Sequence, residues 1–382
     1  MRLPWNIMQR EAQPHASELA APEGDGALAG AKQGASPITG ASAREERSEF
    51  ALSVRNLSTV FEDGAKTVHA VRDVSFDMRP TERLGVVGES GSGKSALALS
   101  ILGLIEPPGK VLGGEILLDG RDIAKLSDRQ LSAVRGKDIA LVLQDPMSAL
   151  DPVKTIGSQI VEAVVAHEPE LRRAAARKRA AELLREVDIP QADRRLDDYP
   201  HQYSGGMRQR VAIAIAIANN PRVLIADEPT TALDVTTQSQ VLGLLDRLVD
   251  QHRTAVILIT HNLGVVSDFC DSVAVMYAGR FVETSGVDHV FLHPTHPYSE
   301  ALLKCVPNPE RLADGPLPAI SGFPPDLAQL PSGCSFAPRC PVGRDVAQCH
   351  EQAPRPHHVA TASGPAEVEC HFAEQRSAQV TA

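Results

Sequence analysis

The chain has 382 residues, 43% of them hydrophobic, and a formal net charge of −10. That length suits one large domain or two modest ones, with enough apolar content for a buried core. The acidic balance excludes a general affinity for DNA or RNA backbones, which needs clustered Lys and Arg, but leaves room for a nucleotide held at a local site.

No stretch approaches the roughly 18 apolar residues of a membrane span. The first residues, MRLPWNIMQREAQPHASEL, lack the apolar region of a secretory signal, so a cytoplasmic location is expected. Residues 1–48 are rich in Ala, Gly, Ser, Pro and Glu without periodicity and read as a disordered tail. The alternative is a short amphipathic turn anchored by Trp5 and Ile7.

Order is expected from about Phe50. FALSVRNLSTVF and HAVRDVSFDM alternate like strands, and RLGVVG is a short apolar run that suits a buried strand. SALALSILGLI follows with helical length, so strand, glycine loop and helix open an α/β unit. The segment 157–200 is charged and Ala-rich. Its apolar positions Leu171, Ala175, Leu183, Leu184 and Val187 predict a helical insert. A helix is predicted over about Met207–Ala218, then a buried strand over 222–227. TQSQVLGLLDRLVDQH carries Val241, Leu244, Leu245 and Leu248 on one helical face, and 254–260 is another buried strand. DSVAVMYAGRFVETS reads as a hairpin turning at Ala278–Gly279. Beyond about 292 Pro and His rise and regular structure is expected to fade, which places a boundary there.

Gly88-Glu89-Ser90-Gly91-Ser92-Gly93-Lys94-Ser95 matches G-x-x-x-x-G-K-[ST] in full. Glycines let the backbone wrap an anion with its N–H groups inward, and the following helix adds its positive end. The expectation is that these positions lack side chains because the ligand fills their space. Lys94 would then bridge the β- and γ-phosphates, and the Ser95 hydroxyl would ligate Mg²⁺. VLIADEP ends a buried strand with Asp227, suited to holding Mg²⁺, and Glu228, suited to deprotonating an attacking water. The bland alternative for the pair is a helix cap. His261, after a strand, could reach the γ-phosphate or that water, and Gln144 could reach Mg²⁺ through its carbonyl. Ser204-Gly205-Gly206 opens a helix and forms a second anion site. Two copies facing head to tail would let each such helix close over the other's γ-phosphate.

The string YSGGMRQRVAIAIAIANNPRVLIADEPTTALD resembles the signature region of ATP-binding cassette (ABC) ATPases, and the resemblance covers about residues 50–290. It implies an α/β P-loop NTPase with a RecA-like core, an antiparallel β subdomain and a helical insert at about 145–220, with a cassette domain over 49–292. It assigns Gly88–Ser95 to the Walker A loop, Gln144 to the Q-loop and Ser204–Gln209, including Gln209, to the signature. Asp227 matches the Walker B aspartate, Glu228 the catalytic glutamate, Ala232–Asp234 the D-loop and His261 the switch histidine. Phe61 resembles the aromatic that stacks on adenine, with core packing as the alternative. No motif is degenerate, so a working ATPase is implied.

HPTHPYSEALL and LPAISGFPPDLAQLPSGCSFAPRC resemble the carboxy-terminal region of dipeptide/oligopeptide importer ATPases, and GESGSGKS and LQDPMSALDP are similar to that subfamily too. The resemblance implies a 293–382 extension and a peripheral place on the cytoplasmic face of the inner membrane. It also implies separate partners: two transmembrane permease subunits, a second and non-identical ABC ATPase subunit, and an extracytoplasmic solute-binding protein, with no nucleic acid. Nickel or another small solute is the alternative cargo. A soluble ABC protein of translation or DNA repair is the rival class, disfavoured by the single cassette and the acidic charge. A purely regulatory nucleotide module is disfavoured by intact Glu228 and His261.

Cys334, Cys340, Cys349 and Cys370 stand in the pattern C-x5-C-x8-C-x20-C, which could hold an iron–sulfur cluster or tetrahedral zinc. The lack of C-x2-C knuckles favours Fe–S, and the resemblance likewise implies a [4Fe-4S] cluster. Four free thiols are the alternative.

Overall fold

The computed structural model describes residues 48–64, 66–231, 233–306, 318–361 and 364–380. The tail at 1–47 lies outside them. In chain order the strands are β1 (Leu52–Asp63), β2 (Lys66–Met78), β3 (Arg83–Val87), β4 (Gly109–Leu118), β5 (Arg121–Asp122), β6 (Ile139–Val142), β7 (Val223–Asp227), β8 (Ala255–Ile259), β9 (Ser272–Tyr277), β10 (Arg280–Gly286), β11 (His357–Thr361) and β12 (Gly364–Val368). The helices are α1 (Lys94–Ile101), α2 (Asp128–Val134), α3 (Pro146–Ala149), α4 (Ile156–Val165), α5 (Arg173–Glu186), α6 (Ala192–Arg195), α7 (Gly205–Ile217), α8 (Val235–His252), α9 (Leu263–Phe269), α10 (Val287–Leu292), α11 (Pro297–Lys304), α12 (Ala347–Glu351) and α13 (Ala373–Val380).

Two sheets form. One has the order β2-β1-β4-β5 and is antiparallel. The other has eight strands in the order β11-β12-β10-β9-β3-β8-β7-β6. Its centre, β9-β3-β8-β7-β6, is parallel, and β10, β12 and β11 add on antiparallel at one side. β7 and β8 are buried along their whole length. Packed layers on both faces demand that, which is why these strands read as unbroken apolar runs. Their side chains alternate between two cores. Leu224, Ala226, Val256 and Leu258 join the one formed with α7, α8 and the helical insert. Val223, Ile225, Ala255, Ile257 and Ile259 join the one formed with α1 and the antiparallel sheet.

α8 buries Val241, Leu244, Leu245, Leu248 and Val249. At about 1.5–3 kcal/mol per large apolar side chain, that face docks the helix against the sheet. In the insert the buried face of α5 runs through Ala176, Ala180, Leu183 and Leu184, with Val187 following. Ala175, assigned to that face from the sequence, is exposed; the helix is set one residue on, because Ala176, Ala180 and Leu184 repeat every four residues. The turn at Ala278–Gly279 is present, both residues having positive φ (47° and 80°), which suits a two-residue hairpin.

The expected fading of regular structure after 292 is not found. α11, α12, α13, β11 and β12 lie there, and β12 pairs with β10 through Glu283↔Val368 and Thr284↔Glu367. HHVAT and GPAEV are too short and too polar to show a strand period on their own. Among the described residues no helix is long and apolar enough to cross a membrane.

Candidate active site

The glycine loop joins β3 to α1, with Gly93 capping the helix at φ 108°. A Cβ on Gly93 would lie 2.1 Å from the Ala70 carbonyl oxygen, and one on Gly88 2.2 Å from that of Met276. Neighbouring backbone on β2 and β9 therefore requires these two glycines by itself, a reason additional to the one expected from the sequence. At Gly91 the chain leaves the space open: its φ is 78° and an added Cβ would meet nothing within 4 Å. The first turn of α1 carries no acidic residue, so its positive end is left for an anion. Ser90, Gly91 and Ser95 are exposed, while Ser92 is buried.

Lys94 is buried, and its Nζ donates to the carbonyls of Gly88 and Glu89, both at 2.9 Å. Burial lowers its pKa against the pull of Glu228, Asp227 and Glu89. Asp227, the last residue of β7, is buried and accepts from the Ser95 side chain, yet its Oδ1 has no hydrogen-bond partner. Burial raises its pKa, and the neighbouring Glu228 charge adds to this. A buried carboxylate oxygen without a partner beside a hydroxyl suits a hard divalent cation such as Mg²⁺.

Glu228 follows with a left-handed backbone, φ 47°. Its Oε2 accepts from Gln144 Nε2 at 2.9 Å and from Thr231 Oγ1 at 2.8 Å, and its Oε1 lies 3.0 Å from His261 Nδ1. Burial opposes ionisation, but the bonds from His261 and Thr231 outweigh it and hold the carboxyl below its usual range. The structure thus gathers Glu228, Gln144 and His261, three positions far apart in the chain. Gln144 meets Glu228 through its amide nitrogen. Thr231 was not singled out from the sequence; its signal is its place three residues after Glu228 in the turn.

Ser204 caps α7, accepting from Met207 N at 3.3 Å, and is exposed. Gly206 packs so closely on Thr237 that a Cβ would come within 2.4 Å of its methyl. Among the described residues, no hydrogen bond or ion pair joins Ser204–Gly206 to the Gly88–Ser95 loop. Gln209 is only 1% exposed and does not share the exposed surface of Ser204. Asp234 caps α8, accepting from Thr237 N and Thr237 Oγ1, and those bonds lower its pKa. Ala232 lies outside the described residues. Phe61, near the end of β1, is half-buried, and its ring leaves no room for a Cβ on Gly109 of β4.

Cys334, Cys340, Cys349 and Cys370 line one cavity, with Phe336 and His371 among its walls. None of the four is joined in a disulfide. Burial, with neighbouring sulfurs adding to it, pushes Cys334 up to about 12 and Cys370 up to about 11. Gly343 N donates to Cys340 Sγ and Phe372 N to Cys370 Sγ. Yet among the described residues no three His, Cys, Asp or Glu side chains are placed to hold a metal ion. A four-ligand site for a single ion such as zinc is therefore not formed, although the four cysteines do converge on one cavity.

A phosphate-type loop after β3 and two acids at the end of β7, on parallel strands separated by β8, are the arrangement of P-loop NTPases, and the added antiparallel sheet and helical insert make this one of cassette type. Residues 71–231 match the family described as ABC transporter, and residues 282–349 match the oligopeptide/dipeptide transporter C-terminal region. The oligopeptide transport ATP-binding protein OppD of Bacillus subtilis is 49% identical, over 75% of this chain and 80% of its own. The dipeptide transport ATP-binding protein DppD of the same organism is 48% identical, over 77% and 87%. The ATP-binding cassette MJ0796, solved as a dimer in a post-hydrolysis state with ADP and Pi, shares 29% identity at a TM-score of 0.56, covering 62% of this chain and 98% of its own. The chain belongs to the ABC transporter family of ATP-binding proteins and is an ABC ATPase.

Proposed function

We propose that this protein is the ATP-hydrolysing subunit of an importer for di- or oligopeptides, driving a separate membrane permease. What carries the reading is the union, in one chain, of an ATPase cassette with a 282–349 segment of the peptide-transporter type. In this reading the N–H groups of Gly88–Ser95 and Lys94 hold the triphosphate, and Phe61 stacks on adenine. Ser95 and Asp227 would hold Mg²⁺, and Gln144 would add its carbonyl oxygen as a further ligand. Glu228 takes the proton from the attacking water, and His261 orients both. Mg²⁺ supplies charge neutralisation between the phosphates. Ser204, Gly205 and Gly206 of a second ATPase subunit complete the site, with Asp234 at the seam; the buried Gln209 supports that helix from within rather than touching nucleotide.

The assembly in this reading comprises two permease subunits, a second and non-identical ATPase, and an extracytoplasmic binding protein, with this chain on the cytoplasmic membrane face. We also attribute a [4Fe-4S] cluster to the four-cysteine cavity. Convergence of the four cysteines on one cavity and the N–H donors to Cys340 and Cys370 sulfur support it. When bound, the cluster would cross-link a segment with little apolar core. Iron and acid-labile sulfide analysis of anaerobically purified protein decides: about four of each per chain are expected, and neither would remove it.

The transport reading is tested by peptide uptake in cells lacking this chain, complemented with wild type or Glu228→Gln. Uptake lost on deletion and restored only by wild type is expected. Undiminished peptide uptake in the deletion strain overturns the cargo.

A further inference from the structure

Glu89 is the one acidic residue of the glycine loop, and the sequence pattern assigns it nothing. The structure holds it at three points. Its carboxylate accepts a two-pronged pair from Arg339, Nη1 to Oε2 at 2.7 Å and Nη2 to Oε1 at 3.0 Å. Its main-chain N–H donates to Tyr298 Oη at 2.9 Å, and its carbonyl accepts from Lys94 Nζ. Arg339 is the single charged residue in the CSFAPRC stretch between Cys334 and Cys340, and it is buried. Its Nε also donates to the Ser321 carbonyl, and its guanidinium lies over the ring of Tyr277. Tyr277, Tyr298 and Phe336 pack ring to ring beneath it, with centroids 4.5–5.3 Å apart. Pro324 and Pro325 of the same carboxy-terminal region wall the loop at Ser90 and Gly91.

We propose that Arg339 is a positioning residue for the nucleotide: by clamping Glu89, the cysteine-bearing carboxy-terminal segment holds the phosphate loop in the shape that aims its N–H groups at the triphosphate. A planar guanidinium meeting a carboxylate at two points fixes orientation as well as distance. The loop needs that restraint, because Gly88, Gly91 and Gly93 all sit at positive φ, and glycine holds its backbone less firmly than any other residue. Arg339 grips the Glu89 carboxylate while Lys94 takes its carbonyl, and among the described residues no hydrogen bond or ion pair joins Arg339 to Asp227, Glu228 or His261. Its loss therefore reduces the fraction of loops ready to bind and leaves the hydrolytic groups in place. If a tenth of loops remain competent, apparent affinity falls about tenfold.

The inference rests on the assignment of Gly88–Ser95 as the triphosphate cradle. The full-length protein, assembled with its partners, is assayed for MgATP turnover. For Arg339→Met the KM for ATP is expected to rise about tenfold with kcat within about threefold. The reversed pair, Glu89→Arg with Arg339→Glu, should recover much of the lost affinity. An unchanged KM in Arg339→Met, or a fall in kcat at constant KM, overturns the proposal. If that variant does not fold, Glu89→Gln, altered at a partly exposed side chain, gives the same readout: a raised KM supports the clamp and an unchanged KM refutes it. Lys94→Ala separates the two levels. Normal ATP binding there defeats the cradle itself, whereas lost binding there with an unchanged KM in Arg339→Met defeats only the clamp.

Discussion

Replacing Glu228 by Gln isolates base chemistry from binding. The carboxylate accepts two bonds on Oε2, from Gln144 and Thr231, and meets His261 through Oε1. A glutamine has the same shape. Its oxygen can keep the Gln144 and Thr231 bonds, while its amide donates to His261 Nδ1 in the tautomer that accepts. Every partner stays satisfied, so stability should change by no more than about 0.5 kcal/mol. What disappears is an ionised carboxylate able to take a proton, and a positioned base contributes about 10²–10⁴ in rate, or about 2.7–5.5 kcal/mol of barrier. ATP turnover by the assembled protein should fall by at least about a hundredfold, with MgATP affinity and thermal midpoint close to wild type. Turnover within a fewfold of wild type would remove Glu228 from the role of base. A hundredfold loss accompanied by collapsed ATP binding would instead show that the geometry, not the proton transfer, had been damaged.

Lys94→Ala should lose most MgATP affinity, read by titration of a fluorescent ATP analogue; unchanged binding would contradict the cradle. Thr231→Val removes one donor from Glu228 Oε2 and should slow hydrolysis by about 10- to 100-fold at unchanged ATP affinity, the rate equivalent of the roughly 1.5–3 kcal/mol that one hydrogen bond to a charged group supplies; turnover equal to wild type would make Thr231 incidental. For Asp227 the sign follows from burial, which raises its folded pKa. The folded state disfavours the charged form, so Asp227 costs stability above that pKa and nothing below the unfolded value. Asp227→Asn should therefore raise the thermal midpoint of the ligand-free protein at pH 7, with the gain vanishing on acidification and Mg²⁺-dependent nucleotide binding lost. A lower midpoint at pH 7 would refute that account. Ile257→Ala, at a fully buried position of β8, should cost about 2–5 kcal/mol in denaturant unfolding; a loss under about 1 kcal/mol would mean the two-faced core is misassigned.

The chain order of motifs was enough to identify the cassette, because each is a short contiguous pattern with a local physical cause. Alternation sets β1 and β2, unbroken apolar runs set β7 and β8, and the loop, the acids at the end of β7 and the serine cap of α7 can be read within a few residues. Contacts between distant segments could not be read that way. That Gln144, Thr231 and His261 all meet on Glu228, that Gly88 and Gly93 answer to the backbone of β9 and β2, and that Gln209 points inward depend on packing across the sheet. The carboxy-terminal region shows the limit most sharply. Its strands are short and polar, and they form because β10 offers an open edge with hydrogen-bonding groups to pair. Composition determined that a core would exist and the contiguous motif that a nucleotide loop would; the tertiary structure decided which side chains face one another there, since a residue's partners across a sheet are set by register and layer rather than by its neighbours in the chain.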